Sequence, residues 1–185
     1  MIREYHTVKG SDGLIATDRA GQSLERPNIE AIWQLLNDVP DPEVPVVSVV
    51  DLGIVRDLSW EGNQLVVTLT PTYSGCPATE FIEEAIEQAL RTAGIASLRL
   101  NRQLAPAWTT DWITDAGREK LRQYGIAPPV GSASKRTLMG EDPEVACPKC
   151  GSQDTEQVSE FGSTACKALY RCNSCLEPFD YFKCI

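Results

Sequence analysis

Histidine is almost missing from this chain: His6 is the one histidine in 185 residues. It lies in a polar, glycine-containing stretch expected to have little order. Ser-His-Asp and Cys-His catalysis therefore lack a base unless that stretch folds back. A carboxylate-bridged di-iron site of the Glu-x-x-His type is excluded on the same count. No G-x-G-x-x-G or G-x-x-x-x-G-K-[ST] stretch occurs, so dinucleotide and P-loop chemistry have no cradle. No apolar run approaches the roughly 18 residues of a membrane span. The first thirty residues lack a basic start followed by an apolar core, which predicts no secretory signal. A cytoplasmic protein is the expectation, and in that compartment Cys-x2-Cys pairs read as metal or redox sites rather than structural disulfides. A net charge of -9 repels phosphate backbones, so neither nucleic acid nor membrane is expected as a partner.

What the chain does have is seven cysteines, unevenly placed. Four form the pairs Cys147/Cys150 and Cys172/Cys175, with 21 residues between them. That spacing is close to zinc ribbons and related four-cysteine sites, because two residues between ligands let one tight turn present two thiolates at tetrahedral angles. Strand-like stretches lie between and after the pairs, around Thr155–Glu160, Ala168–Arg171 and Phe179 to Phe182. A module of about 40 residues cannot bury enough surface to fold alone, whereas structural zinc contributes roughly 10–16 kcal/mol in isolated modules. Structural zinc on Cys147, Cys150, Cys172 and Cys175 is the expectation; a rubredoxin-like iron site and a dithiol redox pair are the alternatives. Residues 141–185 carry eight acids against four bases, which suits a protein-docking ribbon better than a nucleic-acid reader.

The remainder predicts an α+β fold. Residues 1–26 read as a flexible tail. Asn28 is a candidate N-cap for a helix with Ile29, Ile32, Trp33 and Leu36 at helical spacing, stopped by the prolines at 40, 42 and 45. Ile54–Trp60 and Gln64–Thr70 read as a hairpin around Glu61-Gly62-Asn63. A helix follows from about Ala78 to Ala93, its core face Phe81, Ile82, Ala85, Ile86, Ala89 and Leu90, with Gly94 as its stop. Ser97–Leu104 reads as a third strand. A polar helix from about Asp115 to Tyr124 ends at Gly125. The order α-β-β-α-β-α implies a small two-layer domain with helices against one face of a sheet. The proline- and glycine-rich stretch 127–146 reads as a linker to a separate module at 147–185.

Three cysteines are left over. Cys76 falls at a strand-to-helix turn just before Pro77, which suits a first helical position. Unpaired N–H groups at a helix start favour a thiolate, which would make Cys76 a usable metal ligand or nucleophile. Thr70, Thr72, Tyr73 and Ser74 can add hydroxyl donors, and Gly75 permits close approach to the backbone. A small buried hydrophobe is the other reading of Cys76. Asp41 and Glu43 could lie at the same end of the sheet as supporting acids; turn formation is their alternative, and for Asp51 it is the favoured reading. Cys166 and Cys184 flank the second metal pair. They are either packed thiols or, with Cys76, ligands for transient iron or a cluster.

Asp41-Pro42-Glu43-Val44-Pro45, Asp51-Leu52-Gly53 and Thr70-Pro-Thr-Tyr-Ser-Gly-Cys76-Pro77 resemble the signature of the SufT-like iron–sulfur assembly domain, here at 27–126. Ala105-Pro-Ala-Trp-Thr-Thr-Asp-Trp112 and the ribbon tail from Glu160 to Cys184 narrow the resemblance to the PaaD-type family, an accessory component of the phenylacetyl-CoA epoxidase (phenylacetate-CoA oxygenase) system. The match covers about residues 28–185. The resemblance implies a non-catalytic accessory or maturation factor with a reactive cysteine at Cys76. It further implies that iron or an iron–sulfur cluster passes to the iron–sulfur reductase or the di-iron component, in phenylacetate degradation. A structural adaptor that binds epoxidase subunits without metal transfer is the alternative, and a thiol enzyme using Cys76 is the weakest reading. The oligomeric state is open, a homodimer included.

Overall fold

A computed structural model describes residues 26–73, 75–130 and 144–183, together with the backbone of two short strands, β1 (Thr7–Gly10) and β2 (Gly13–Ala16). These two pair antiparallel inside the stretch expected to be a tail, in register from Thr7 with Ala16 to Gly10 with Gly13. Most of the expected linker, residues 131–143, lies outside the described residues, as do Ser74 and Cys184.

Helix α1 (Ile29–Leu36) starts at Asn28, whose side chain accepts from the Glu30 N–H and satisfies one free donor of the first turn. Strands β3 (Val55–Glu61) and β4 (Gln64–Leu69) form the expected hairpin. Helix α2 (Thr79–Thr92) crosses to β5 (Leu98–Arg102), which returns parallel to β4. The sheet order is β3-β4-β5. Leu58, Leu65, Val67 and Leu69 of the sheet pack with Ile32 and Leu36 of α1 and Ile82, Ile86 and Leu90 of α2 in one buried core. Phe81, expected on that core face, is instead 65% exposed. At 100° per residue the stripe runs through positions 82, 86 and 90, and Phe81 overhangs its flank in the first turn.

Helix α3 (Asp115–Tyr124) ends as expected at Gly125, which takes the left-handed conformation at φ 95. The chain then departs from the expected boundary. Strand β6 (Ile126–Ala127) pairs parallel with β9 (Pro178–Phe182), and β9 pairs antiparallel with β8 (Lys167–Cys172), which pairs with β7 (Thr155–Ser159). The ribbon sheet is therefore four-stranded, β6-β9-β8-β7, and its edge strand β6 follows directly on α3 of the first domain. Tyr170, Phe179 and Tyr181 form a ribbon core with Val145 and Ala127. Phe182, in the strand-like stretch expected from Phe179 to Phe182, faces the other way into the first core beside Trp108, ring centroids 6.4 Å apart. Alternation along β9 explains the switch, since neighbours on a strand point to opposite faces. No helix among the described residues is long and apolar enough to cross a membrane.

Candidate functional site

The four ribbon thiols come together as spaced. Their sulfur atoms all lie within 4.8 Å of one another, with Cys147 and Cys175 at 3.8 Å and Cys150 and Cys172 at 3.5 Å. Tetrahedral ligation at about 2.3 Å per sulfur requires separations of about 3.8 Å, so the donor set fits a four-coordinate ion. Two matching turns build it. The Cys147 N–H donates to the Ser152 carbonyl and the Cys172 N–H to the Glu177 carbonyl, and the residue after each pair is left-handed: Gly151 at φ 76 and Leu176 at φ 62. Ser152 and Ser174 join the two turns at 2.8 Å. The electrostatics call for a cation. Cys172, accepting from the Cys175 N–H, falls to about 6. Cys150, which the Ser152 N–H lowers, is nonetheless driven up to about 12 by its sulfur neighbours Cys172 and Cys175. Four thiolates this close cannot all ionise without a metal between them. Cys147, Cys150, Cys172 and Cys175 could thus hold one four-coordinate ion, a donor set that would leave no open position.

A second site lies where the two halves meet. A cleft of about 480 Å³, its open mouth included, is walled by Asp41, Glu43, Cys76 and Thr72 from the first domain and by Cys166 and Phe182 from the ribbon. Asp41 organises the proline-rich loop: its carboxylate accepts from the N–H groups of Glu43 (2.9 Å) and Val44 (2.8 Å). Burial nonetheless holds its pKa above the ordinary carboxylate value, against the lowering effect of those two N–H groups. This turn sets the Glu43 side chain opposite the ribbon. The Cys166 Sγ lies 3.7 Å from Glu43 Oε2 and 3.0 Å from Thr164 Oγ1. Burial first, and the Glu43 charge with it, push the Cys166 thiol up to about 11 despite the Thr164 contact. It is therefore protonated at neutral pH and donates to Glu43.

Cys76, which lines the same cleft, is half-buried. Its N–H donates to the Tyr73 carbonyl at 3.2 Å, and its carbonyl accepts from the Thr79 N–H at 3.2 Å. Pro77 is not the first helical residue: Ala78 is the N-cap, and α2 begins two residues later than Pro77 suggests. The Tyr73 phenol is pushed above its ordinary value, by burial first and then by its electrostatic interaction with Cys76 and Glu43. Among the described residues, Cys76, Cys166, Asp41 and Glu43 share this cleft, but only the ribbon set gathers three or more such ligand atoms within 4.8 Å. Cys184 and Ser74 fall outside the described residues, and so does His6.

The other two motifs are scaffold for this cleft. Asp51 accepts from the Ser48 N–H (3.0 Å) and from Lys120 Nζ (2.6 Å), the turn-forming role favoured from sequence. Trp108 Nε1 donates to the Leu52 carbonyl at 2.9 Å. Gly53 is left-handed at φ 64, and a Cβ there would sit 2.5 Å from the Trp112 carbonyl oxygen. The Asp-Leu-Gly turn and the Trp108–Trp112 segment therefore interlock. Sequence reasoning missed Glu83 and Arg102, which line the cleft mouth and pair at 2.8 Å. No signal links them, since α2 and β5 bring them together only after folding.

Residues 29–96 match the family described as iron-sulfur cluster assembly protein, and residues 131–183 match the PaaD zinc beta ribbon domain. Over 163 residues the chain is 55% identical to an Escherichia coli K12 protein provisionally named as a component of 1,2-phenylacetyl-CoA epoxidase, covering 88% of this chain and 97% of that one. It is 32% identical over 94 residues to the Fe-S protein maturation auxiliary factor of Porphyromonas gingivalis, covering 50% of this chain and 89% of the relative. A solved domain of unknown function from Bacillus anthracis aligns with 50% of this chain and 89% of its own at 28% identity and a TM-score of 0.46. With an assembly-type domain, a four-cysteine ribbon and 55% identity along most of its length, the chain belongs to the PaaD family of phenylacetyl-CoA epoxidase components.

Proposed function

We propose that this protein is a cytoplasmic, non-catalytic maturation factor for a phenylacetyl-CoA epoxidase complex in phenylacetate degradation. Its cargo is iron or an iron–sulfur cluster, received on Cys76 and passed to the reductase or di-iron component. The observation that carries this reading is the cleft lined together by Cys76, from the Gly-Cys-Pro turn, and by Cys166 and Glu43, which meet at 3.7 Å. Two thiols and a carboxylate make a soft, mixed donor set suited to iron, and an incomplete set suits a carrier because it leaves positions for a recipient's ligands. Cys166 enters as a neutral thiol, so cargo binding there requires proton loss, with Glu43 as the adjacent acceptor. The names of the relatives, an epoxidase component and a maturation auxiliary factor, support both parts of the proposal. Cys147, Cys150, Cys172 and Cys175 would hold zinc, whose closed tetrahedral site supplies structure and no chemistry.

Anaerobic reconstitution tests the carrier. Wild-type protein is expected to take up iron with a visible thiolate-to-iron absorption, and Cys76→Ser to lose it while keeping its zinc. If the two take up the same iron and restore epoxidase activity equally, carriage fails and the adaptor reading replaces it.

A further inference from the structure

We infer that the ribbon's metal site positions Cys166: the β8–β9 hairpin is a lever, held at one end by the metal and forming at the other end a wall of the Cys76 cleft. The inference concerns the same cleft as the proposed function but not its cargo.

The two ends are set by register. Strand β8 ends at the ligand Cys172, and the ligand Cys175 lies in the turn before Pro178 opens β9. Pairing then runs from Arg171↔Pro178 to Lys167↔Phe182. At the far end the Lys183 N–H donates to the Cys166 carbonyl at 3.0 Å, closing the hairpin around the cleft residues. Cys172 lies six positions after Cys166, which at about 3.3 Å each makes a lever of roughly 20 Å. Only its distal end enters the first domain's core: Cys166 is 5% exposed and Phe182 1% exposed there.

The proximal half depends on the metal. Its core consists of Tyr170, Phe179 and Tyr181 with a few small side chains and the ligands Cys147 and Cys172. Without an ion the two ligand turns lose the bonds that join them, and a core this small does not hold strands by itself. The remaining attachments are the two-residue pairing of β6 with β9, the Val130 N–H bond to the Tyr181 hydroxyl at 3.4 Å, the Cys166 contact with Glu43 and the seat of Phe182 beside Trp108, a small set for two strands. Loss of the metal therefore frays β8 and β9 and withdraws Cys166 and Phe182 from the cleft. By linkage, a ligand bound between Cys76 and Cys166 tightens the ribbon's hold on its own metal.

The test is pulsed thiol labelling of the full-length protein under anaerobic conditions, read by mass spectrometry at Cys76 and Cys166. With zinc bound, Cys166 is expected to label at least about tenfold more slowly than Cys76, as a locally protected site does. After zinc is removed by a chelator its rate should approach that of Cys76, and zinc addition should restore protection. Hydrogen exchange of β4 is followed in parallel and is expected to stay protected throughout. Phe182→Ala, which leaves all four ligands in place, is expected to keep its zinc and still speed Cys166 labelling. The inference is overturned if Cys166 labels equally with and without zinc, or if β4 loses protection with the metal, because the metal would then support the whole fold. It also fails if Phe182→Ala leaves Cys166 protected. Iron uptake does not enter these readouts, so the carrier reading can fail while this one stands, and the reverse.

Discussion

Asp51 shows how a motif carboxylate becomes a structural one. Its side chain is 4% exposed and pairs with Lys120 at 2.6 Å. Burial alone would raise its pKa, but Lys120, the Ser48 N–H and the Ser48 hydroxyl outweigh burial and hold it below the ordinary 3.8. An acid held below its unfolded value stabilises the fold fully above that value. The contribution is lost as pH falls through the folded pKa. Lys120→Met should therefore cost about 1–2 kcal/mol at pH 7, the penalty of leaving a buried carboxylate without its strongest donor. The deficit should shrink as pH falls from 3.8 through the lowered pKa of folded Asp51, and vanish in acid strong enough to protonate Asp51 in both proteins. Urea unfolding at pH 7 and in such acid measures both effects, and a deficit that persists in acid would assign the loss to packing instead. The carboxylate's turn-forming role was legible from Asp51-Leu52-Gly53 itself. Lys120 was not, because 69 residues separate the partners.

At the level of elements, two left-handed glycines separate conformational cost from steric cost. Gly125 ends α3 at φ 95 with open space where a Cβ would point. Gly125→Ala should cost only about 1 kcal/mol, the backbone preference alone. Gly53, at φ 64, has the Trp112 carbonyl oxygen 2.5 Å and the Trp112 Cβ 2.8 Å from that point. Gly53→Ala must also push Trp112 away, and with it the segment that anchors Trp108. A loss of about 3 kcal/mol or more is expected, and thermal unfolding of the two variants side by side checks the ordering. The boundary at Gly125 was readable because helix termination is a local matter. The lock at Gly53 was not, since a turn glycine and a tryptophan carry no mark of their contact. For the same reason Phe81 was misplaced: periodicity finds the stripe but not where the opposing layer ends.

At the scale of the molecule, the ribbon is built into the fold rather than tethered to it. It borrows β6 as its edge strand and lends Phe182 and Cys166 to the first core. A chain ending after residue 130 should therefore be less stable than the whole by about 2 kcal/mol, the order expected for uncovering one aromatic side chain's seat. A lower melting temperature and increased binding of an apolar dye would report it. Unchanged melting would mean that the first domain is complete without the ribbon.

The residues themselves determined most of the local structure: Asn28 and Gly125 as helix ends, the β3–β4 hairpin, and the four ribbon ligands, whose spacing alone places two thiolates on each turn. These depend on chain geometry over a few residues, which composition and periodicity encode directly. That Cys166 lines the same cleft as Cys76 was decided only by tertiary structure. The pairing of β6 with β9 and the burial of Phe182 carry Cys166 to Glu43, 123 residues away in sequence. Contacts of that range follow from how apolar faces of separate elements cover one another, and no local pattern records the outcome.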